Sequence, residues 1–137
     1  MLEYTAEELF HEITSGSCCG IKDYDMLIWF IKLTPIQKDW LIVFERGSLF
    51  IHKEYRNKGL WKHLVETMLN DNKTLPIYSV TNVEAVKKIN KSLGQHEYTA
   101  ADIPKQILDI IETAGKLLEN DVIYSNELLN VLIQKLI

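Results

Sequence analysis

Apolar and polar positions follow their clearest pattern over residues 48–70. Residues 49–51 are apolar, residues 53–58 are rich in charge, and Gly59 precedes a segment with apolar residues at spacings of one and four. Such spacings form one stripe at the period of an α-helix. The stripe consists of Leu60, Trp61, Leu64, Val65, Met68 and Leu69. The pattern therefore predicts a strand, a loop and a helix in succession.

A helix and an antiparallel meander are predicted before this helix. Thr5 and Glu8 have the spacing of a capping box, which predicts a helix over residues 6–15. Three runs rich in β-branched and aromatic residues then predict strands. These runs are residues 26–33, 39–44 and 49–52. The first run is expected to end at residues 34–35, and residues 45–48 are expected to form a tight turn between the second and third strands.

Two strands and a helix are predicted after it. Residues 75–80 predict a strand in which Pro76 is tolerated at the start. Residues 83–93 predict a helix that ends at Gly94 as its C-terminal cap, and residues 96–100 predict a short strand. The inward positions of this helix are Val83, Val86, Ile89 and Leu93.

The C-terminal segment predicts a pair of antiparallel helices separated by a turn at residues 119–121. Asp102 is expected to cap the first helix, with Pro104 in its first turn. The apolar stripes are Ile103, Ile107, Ile110, Ile111, Ala114, Leu117 and Leu118, and then Leu128, Leu129, Leu132, Ile133, Leu136 and Ile137. We expect residues 102–137 to pack on the sheet of a domain formed by residues 1–101. A subunit or partner interface is the alternative.

Composition sets the class of protein. A chain of 137 residues that is 47% hydrophobic and 25% charged is long enough for one well-packed domain. The net charge of −4 argues against a nucleic-acid partner held by bulk charge. Apolar runs fall short of the roughly 20 residues that span a bilayer, and the acidic start does not predict a signal peptide. Cys18 and Cys19 are adjacent, which favours a reducing compartment, so we expect a cytoplasmic protein without a metal site.

The loop before the helix has the features of an anion site. The first N–H groups of a helix have no partner within the helix and attract anions such as phosphate. Arg56, Lys58 and Lys62 add positive charge around this helix start. On the other interpretation, the three basic residues are only the solvated side of a turn.

The order of residues in this loop resembles the acetyl-CoA signature of the GNAT acetyltransferase superfamily. In that signature an apolar strand residue is followed by Arg or Gln, two variable residues and Gly. Gly or Ala is usual two positions after this glycine, and Trp61 departs from the signature at that position. The resemblance implies that loop N–H groups hold the pyrophosphate of acetyl-CoA and that strand N–H groups hold its pantetheine arm. The residues so implicated are Ile51, Arg56, Asn57, Lys58, Gly59, Leu60 and Trp61, and the family's next motif adds Asn82.

A second resemblance lies in residues 79–94. Asn82 and Ala85, and an ending of Lys91-Ser92-Leu93-Gly94, match the family's next motif with one extra residue before the glycine. Many members carry a Tyr that protonates the departing thiolate four positions after the alanine, where this chain has Ile89. The two motifs imply an α/β (α+β) fold with a GNAT-like mixed sheet, an antiparallel meander and then β-α-β-α-β. The C-terminal helices stand where the family usually has a β-hairpin.

The resemblance implies an N-acetyltransferase that uses acetyl-CoA and an amine acceptor, either a small molecule or a protein. Glu45 and His52 are the candidate bases near the third strand, although either could be a plain surface or turn residue. Tyr78, Tyr98 or water could replace the missing acid, and strand N–H groups could polarise the thioester. An acidic protein suits a cationic amine. The alternative is a non-catalytic GNAT-like domain that acts by protein-protein binding. A homodimer or a complex with a partner protein would then form through its helical end.

Overall fold

A computed structural model describes residues 18–23, 26–51 and 60–137 of the chain. The helix predicted over residues 6–15 lies outside the described residues, and so do His52 and residues 56–59 of the predicted cofactor loop. The helices and strands are β1 (Cys18–Asp23), β2 (Met26–Lys38), β3 (Leu41–Ile51), α1 (Leu60–Asp71), β4 (Ile77–Thr81), α2 (Glu84–Ser92), β5 (His96–Tyr98), α3 (Lys105–Ala114), β6 (Val122–Ser125) and α4 (Glu127–Leu136).

The strands form a mixed sheet with the order β1-β2-β3-β4-β6-β5. β1 pairs antiparallel with β2, and a two-residue turn makes β2 and β3 a hairpin. β3 and β4 pair in parallel, and a parallel pair needs a long crossover connection, which here contains α1. β6 pairs antiparallel with β4 on one side and with β5 on the other. The predicted fold class is therefore confirmed.

Two compact units divide the chain differently from the predicted boundary at residue 101. One contains the described residues of Met1–Thr34 and Arg46–Asp71, and the other contains Pro35–Glu45 and Asn72–Ile137. The split into residues 1–101 and 102–137 stays a prediction.

The N-terminal strands differ from the sequence prediction in three places. β1 was not predicted, because its short run contains Gly20 and follows a segment of small residues. β2 continues through Pro35, since its described pairing with β1 stops at Lys32 and a proline is tolerated where a strand edge needs no N–H. β3 is one strand, so the predicted turn at residues 45–48 is wrong. The turn lies instead at residues 39–40, where Asp39 has a φ of 56°, a conformation that Asp tolerates better than most residues.

The amphipathic pattern of α1 is confirmed in the first unit. Leu64, Val65, Met68 and Leu69 are buried. Lys62, His63 and Glu66 are exposed, as the helical period predicts.

The core of the second unit joins its strands to both C-terminal helices. Its buried members are Leu41, Val43, Tyr78, Ile103, Ile107, Ile110, Ile111, Ile123, Leu129 and Ile133. The apolar stripes of α3 and α4 are therefore core of the unit that contains β4 and β6. The stripe of α3 is shorter than predicted, because Ala114 and Leu118 are exposed beyond its inward face.

Two further predictions about the C-terminal helices need correction. β6 lies between α3 and α4, so the two helices do not follow one another through a simple turn. Asp102 does not cap α3, whose N-cap residue is Pro104. The Asp102 carboxylate instead accepts a hydrogen bond from the Thr99 hydroxyl at 2.9 Å.

α2 ends as predicted but begins later. Gly94 has a φ of 76°, the N–H of Gly94 donates to the carbonyl of Lys91, and the N–H of Gln95 donates to that of Asn90. This is the Schellman arrangement, which favours Gly because a side chain strains the left-handed conformation. Val83 is the N-cap residue and is 51% exposed, so its predicted inward position is wrong.

Asn126 connects α4 to the sheet. Its Oδ1 accepts hydrogen bonds from the backbone N–H of Leu129, in the first turn of α4, at 3.1 Å and from that of Ile77, in β4, at 3.0 Å. Its Nδ2 donates to the carbonyl of Leu75 at 2.7 Å. One buried side chain therefore caps the helix and satisfies the start of β4.

We expect Asn126→Ala to lower the free energy of unfolding by about 2 to 4 kcal/mol, since it removes a helix cap and leaves the buried N–H of Ile77 without its acceptor. Asn120→Ala removes the same type of side chain from an exposed position and is expected to change the free energy of unfolding by about 0.5 kcal/mol or less. Urea unfolding of the three proteins measures both values. Equal losses in the two variants would contradict the capping role.

Candidate active site

Glu45 and Tyr78, two of the predicted catalytic residues, lie side by side on the parallel strands β3 and β4. Because side chains alternate along a strand, Glu45 is on the same face of β3 as the buried Leu41 and Val43. The Tyr78 hydroxyl donates a hydrogen bond to Oε2 of Glu45 at 3.0 Å. The structure thus brings together two residues that are 33 positions apart in sequence.

The environment of this pair keeps the proton on Tyr78. Burial raises the pKa of Tyr78 far above the ordinary value for tyrosine, and the negative charge of Glu45 and the hydrogen bond to it raise that pKa further. A phenol held in this way donates a hydrogen bond at neutral pH but gives up its proton reluctantly. Glu45 is half-buried, so its carboxylate is the more accessible partner.

Tyr98, the other predicted acid, is in a different part of the sheet. Its hydroxyl donates to Oδ1 of Asn130 and accepts a hydrogen bond from Nε2 of Gln134 at 2.9 Å, and both residues belong to α4. β5 is three positions from β3 in the sheet, which corresponds to about 14 Å. Tyr98 therefore ties β5 to α4 and does not meet Glu45.

The described part of the predicted cofactor segment has the expected order of elements. Ile51 is the last residue of β3, and Leu60 is the first residue of α1. Trp61 is half-buried in the first turn of α1, and Lys62 beside it is exposed. The first turn of α1 contains no acidic residue, so its N–H groups and positive dipole end face no nearby carboxylate of that turn. Such a helix start fits an anion.

Asn82, the predicted contact in the second motif, is an exposed residue between β4 and α2. The Thr81 hydroxyl just before it accepts a hydrogen bond from the N–H of Val83 at 3.1 Å, which shapes this connection. Ile89 is half-buried within α2.

Sequence reasoning missed four buried or half-buried polar residues. Arg46 follows Glu45 on β3, and burial lowers its pKa to about 10. Asn90 was not among the inward positions predicted for α2 but is buried, and Ser125 and Asn126 are buried at the end of the unpredicted β6. On the helical period of α2, residue 90 lies next to the inward Ile89. This position was the sequence signal that Asn90 is buried.

Two general features concern only the described part of the chain. No group of three or more His, Cys, Asp or Glu residues there could hold a metal ion. None of its helices is at once long enough and apolar enough to cross a lipid bilayer.

Comparisons with known proteins identify the fold. No protein-family model matches the sequence, and no curated protein matches it by sequence comparison. Among solved structures, an N-acetylglutamate synthase from Neisseria gonorrhoeae, complexed with coenzyme A and N-acetyl-glutamate, is similar with a TM-score of 0.59 at 12% identity. The match covers 92% of this chain but only 28% of the synthase chain.

Two smaller proteins give similar matches. A GNAT-family acetyltransferase from Streptococcus agalactiae has a TM-score of 0.56 at 14% identity, over 88% of this chain and 70% of that one. The N-acetyltransferase YlbP from Bacillus subtilis, in complex with coenzyme A, has a TM-score of 0.50 at 18% identity, over 93% of this chain and 86% of that one. Identities this low show the fold alone. The chain has the fold of the GNAT acetyltransferases, as the two motifs predicted.

Proposed function

We propose that the protein is an N-acetyltransferase that moves the acetyl group of acetyl-CoA to an amine. The observation that carries the proposal is the carboxylate of Glu45, half-buried on β3 and held by the Tyr78 hydroxyl from the adjacent parallel strand. A carboxylate in a GNAT sheet, anchored on one oxygen and accessible to a substrate, is suited to accept a proton from an amine.

The chemistry follows from what an amine requires. An alkyl amine is protonated at neutral pH and cannot attack a carbonyl until it loses a proton. Glu45 takes a proton from the amine nitrogen, so that the nitrogen lone pair can form the new bond. Acetyl-CoA supplies an acetyl group already activated as a thioester. Tyr78 keeps its proton during this step, and water is the donor that we propose for the departing thiolate.

The cofactor assignment rests on the sequence motif and on the elements at its two ends. β3 ends at Ile51 and α1 begins at Leu60, so the motif residues are bounded by a strand and by a helix N-terminus that fits an anion. We assign the pyrophosphate to Arg56, Asn57, Lys58 and Gly59, and the pantetheine arm to the end of β3. The role of Asn82 stays a prediction from the second motif. The synthase and YlbP structures are both complexes with coenzyme A, which supports the choice of cofactor.

The acceptor belongs to the class of amines. A similar structure is the NatC complex bound to a peptide and coenzyme A, and the synthase is bound to N-acetyl-glutamate, so neighbours of this fold include peptide-bound and amino-acid-bound forms. Both a small amine and a protein amine are therefore candidate acceptors. A cytoplasmic location and association through the C-terminal helices stay predictions.

We expect Gly59→Val to abolish binding of coenzyme A without unfolding the protein, because a β-branched side chain at the motif glycine keeps the backbone from the pyrophosphate. Isothermal calorimetry with coenzyme A measures the affinity, and circular dichroism checks the fold. Gly115→Val is the matched control, since Gly115 has an extended φ of 170° and no atom within 4 Å of the position of an added Cβ. Absence of binding by the unmodified protein, or equal binding by Gly59→Val, would refute the cofactor assignment.

A further inference from the structure

In the contact between Tyr78 and Glu45, the donor is the Tyr78 hydroxyl, and its position is fixed by packing. Tyr78 is 1% exposed and belongs to the core that includes Ile107 and Ile111 of α3 and Leu129 of α4. Closely packed core side chains have little freedom to change rotamer. The hydroxyl is therefore held in place by the ring, whereas a glutamate side chain has three rotatable bonds of its own.

The Tyr78 hydroxyl also remains a hydrogen-bond donor at and around neutral pH. Because burial and the Glu45 charge raise the pKa of Tyr78 far above its ordinary value, the hydroxyl does not lose its proton near neutrality. Hydrogen bonds to a charged acceptor are roughly twice as strong as neutral ones, so the carboxylate gains most from this bond in its ionised, basic form.

We infer that Tyr78 is a positioning residue, whose hydroxyl holds the Glu45 carboxylate in the orientation that takes a proton from the acceptor amine. The inference rests on the proposed acetyl transfer, because Glu45 acts as the base there. In the step itself an N–H bond of the amine breaks and an O–H bond forms on Glu45, while the O–H bond of Tyr78 stays intact. α3 and α4 thereby contribute to the site through the ring of Tyr78, although neither helix supplies a reacting group.

A second Tyr–Glu pair in the same sheet provides a matched control. The Tyr124 hydroxyl donates to Oε2 of Glu97 at 2.7 Å, and Tyr124 is fully buried, like Tyr78. Tyr124 lies opposite Ser79 in the β4–β6 register, so it faces the other side of the sheet from Tyr78. Glu97 also pairs with the Lys91 ammonium at 3.3 Å on that side. Both pairs have the same chemistry, but only one includes the proposed base.

The kinetic test compares Tyr78→Phe with Tyr124→Phe. Each variant keeps its ring and loses one hydroxyl. Release of coenzyme A from acetyl-CoA is followed with spermidine, and separately with a lysine-containing peptide that has a free N-terminus. We expect kcat of Tyr78→Phe to fall about 10- to 100-fold, as for a misoriented catalytic group, with KM for acetyl-CoA unchanged. Tyr124→Phe is expected to keep the kcat of the unmodified protein within about 2-fold.

A second measurement does not depend on turnover. A tyrosine hydroxyl proton held by a hydrogen bond can exchange slowly enough to give its own proton NMR signal. Tyr78→Phe and Tyr124→Phe each identify one such signal by removing it. The signal assigned to Tyr78 is expected to shift in Glu45→Gln and to stay in place in Glu97→Gln.

The outcomes separate the inference from the function it rests on. Turnover by the unmodified protein together with an unchanged kcat in Tyr78→Phe overturns the positioning role and leaves acetyl transfer standing. An equal loss in Tyr124→Phe also overturns it, because the effect would then be a general one of removing a buried hydroxyl. A Tyr78 hydroxyl signal that does not shift in Glu45→Gln also overturns the positioning role. Failure of the unmodified protein to bind coenzyme A and to acetylate either amine overturns both proposals.

Discussion

A chain that ends at Ala101 is expected to be unfolded at every protein concentration. The missing segment contributes seven of the buried apolar side chains of the second unit's core. They are Ile103, Ile107, Ile110, Ile111, Ile123, Leu129 and Ile133. At about 1.5 to 3 kcal/mol for each buried side chain, their loss amounts to roughly 10 to 20 kcal/mol, which matches or exceeds the whole stability of a domain at about 5 to 15 kcal/mol.

The loss of backbone hydrogen bonds is a second reason to expect that the truncated chain does not fold. β6 lies between β4 and β5, so truncation leaves the facing edges of both strands without a partner. Exposed strand edges of this kind promote aggregation.

Far-UV circular dichroism and light scattering on the truncated and full-length chains test this expectation. Ile133→Ala and Val131→Ala form a milder matched pair within α4, because Ile133 is fully buried whereas Val131 is 38% exposed. The first is expected to cost about 2 to 5 kcal/mol and the second about 0.5 kcal/mol or less. A truncated chain that stays folded as a monomer, while the full-length protein is a dimer, would show that the helices form a subunit interface.

Glu45→Gln is expected to lower the rate of acetyl transfer by about 100- to 10,000-fold at neutral pH, the range for loss of a general base. The amide has nearly the same shape as the carboxylate but cannot take up a proton. The binding of coenzyme A should be unchanged, because the residues assigned to the cofactor lie elsewhere in the sequence. The deficit should shrink as the pH approaches about 10, where a lysine-type amine loses its proton without help.

The same assay with Glu97→Gln controls for the loss of a carboxylate bonded to a tyrosine. That variant is expected to keep full activity, since Glu97 lies beside Lys91 on the opposite face of the sheet. A Glu45→Gln rate equal to that of the unmodified protein at pH 7 would remove Glu45 as the base. Candidates among the remaining residues, His52 above all, would then have to be tested.

Local patterns were sufficient for the elements whose determinants are close in sequence. The stripe of α1 and the glycine that ends α2 are set by spacings within one or two helical turns, and both predictions are confirmed. The order of elements from β3 to β5 followed from the two motifs. These features depend on the chain's own neighbours more than on distant contacts.

Tertiary pairing decided the features that sequence reasoning missed. The segment Glu45-Arg46-Gly47-Ser48 has the composition of a turn, yet it forms part of β3, and Glu45 at its start pairs with Tyr78 of β4. β6 is only four residues long and lies between two helical stripes, so its pattern was too short to predict a strand.

Candidate residues could be named from the sequence, but their partners could not. Glu45 and Tyr78 were each predicted as catalytic residues for separate roles. Their hydrogen bond depends on the register of β3 against β4, which no pattern within either strand reveals. The sequence therefore supplied the residues of the candidate site, and the register determines which of them act together.

The insertion of β6 between β4 and β5 also has a consequence for the time course of folding. β4 and β5 lie close together in sequence, yet the strand that joins them side by side comes after α3. Bringing these non-local pairs together loses chain entropy before the stabilising contacts form. Folding is therefore slower than for strands that pair locally. On the ribosome, the sheet of the second unit is therefore complete only after residue 125 has emerged, and until then β4 and β5 lack the strand that lies between them.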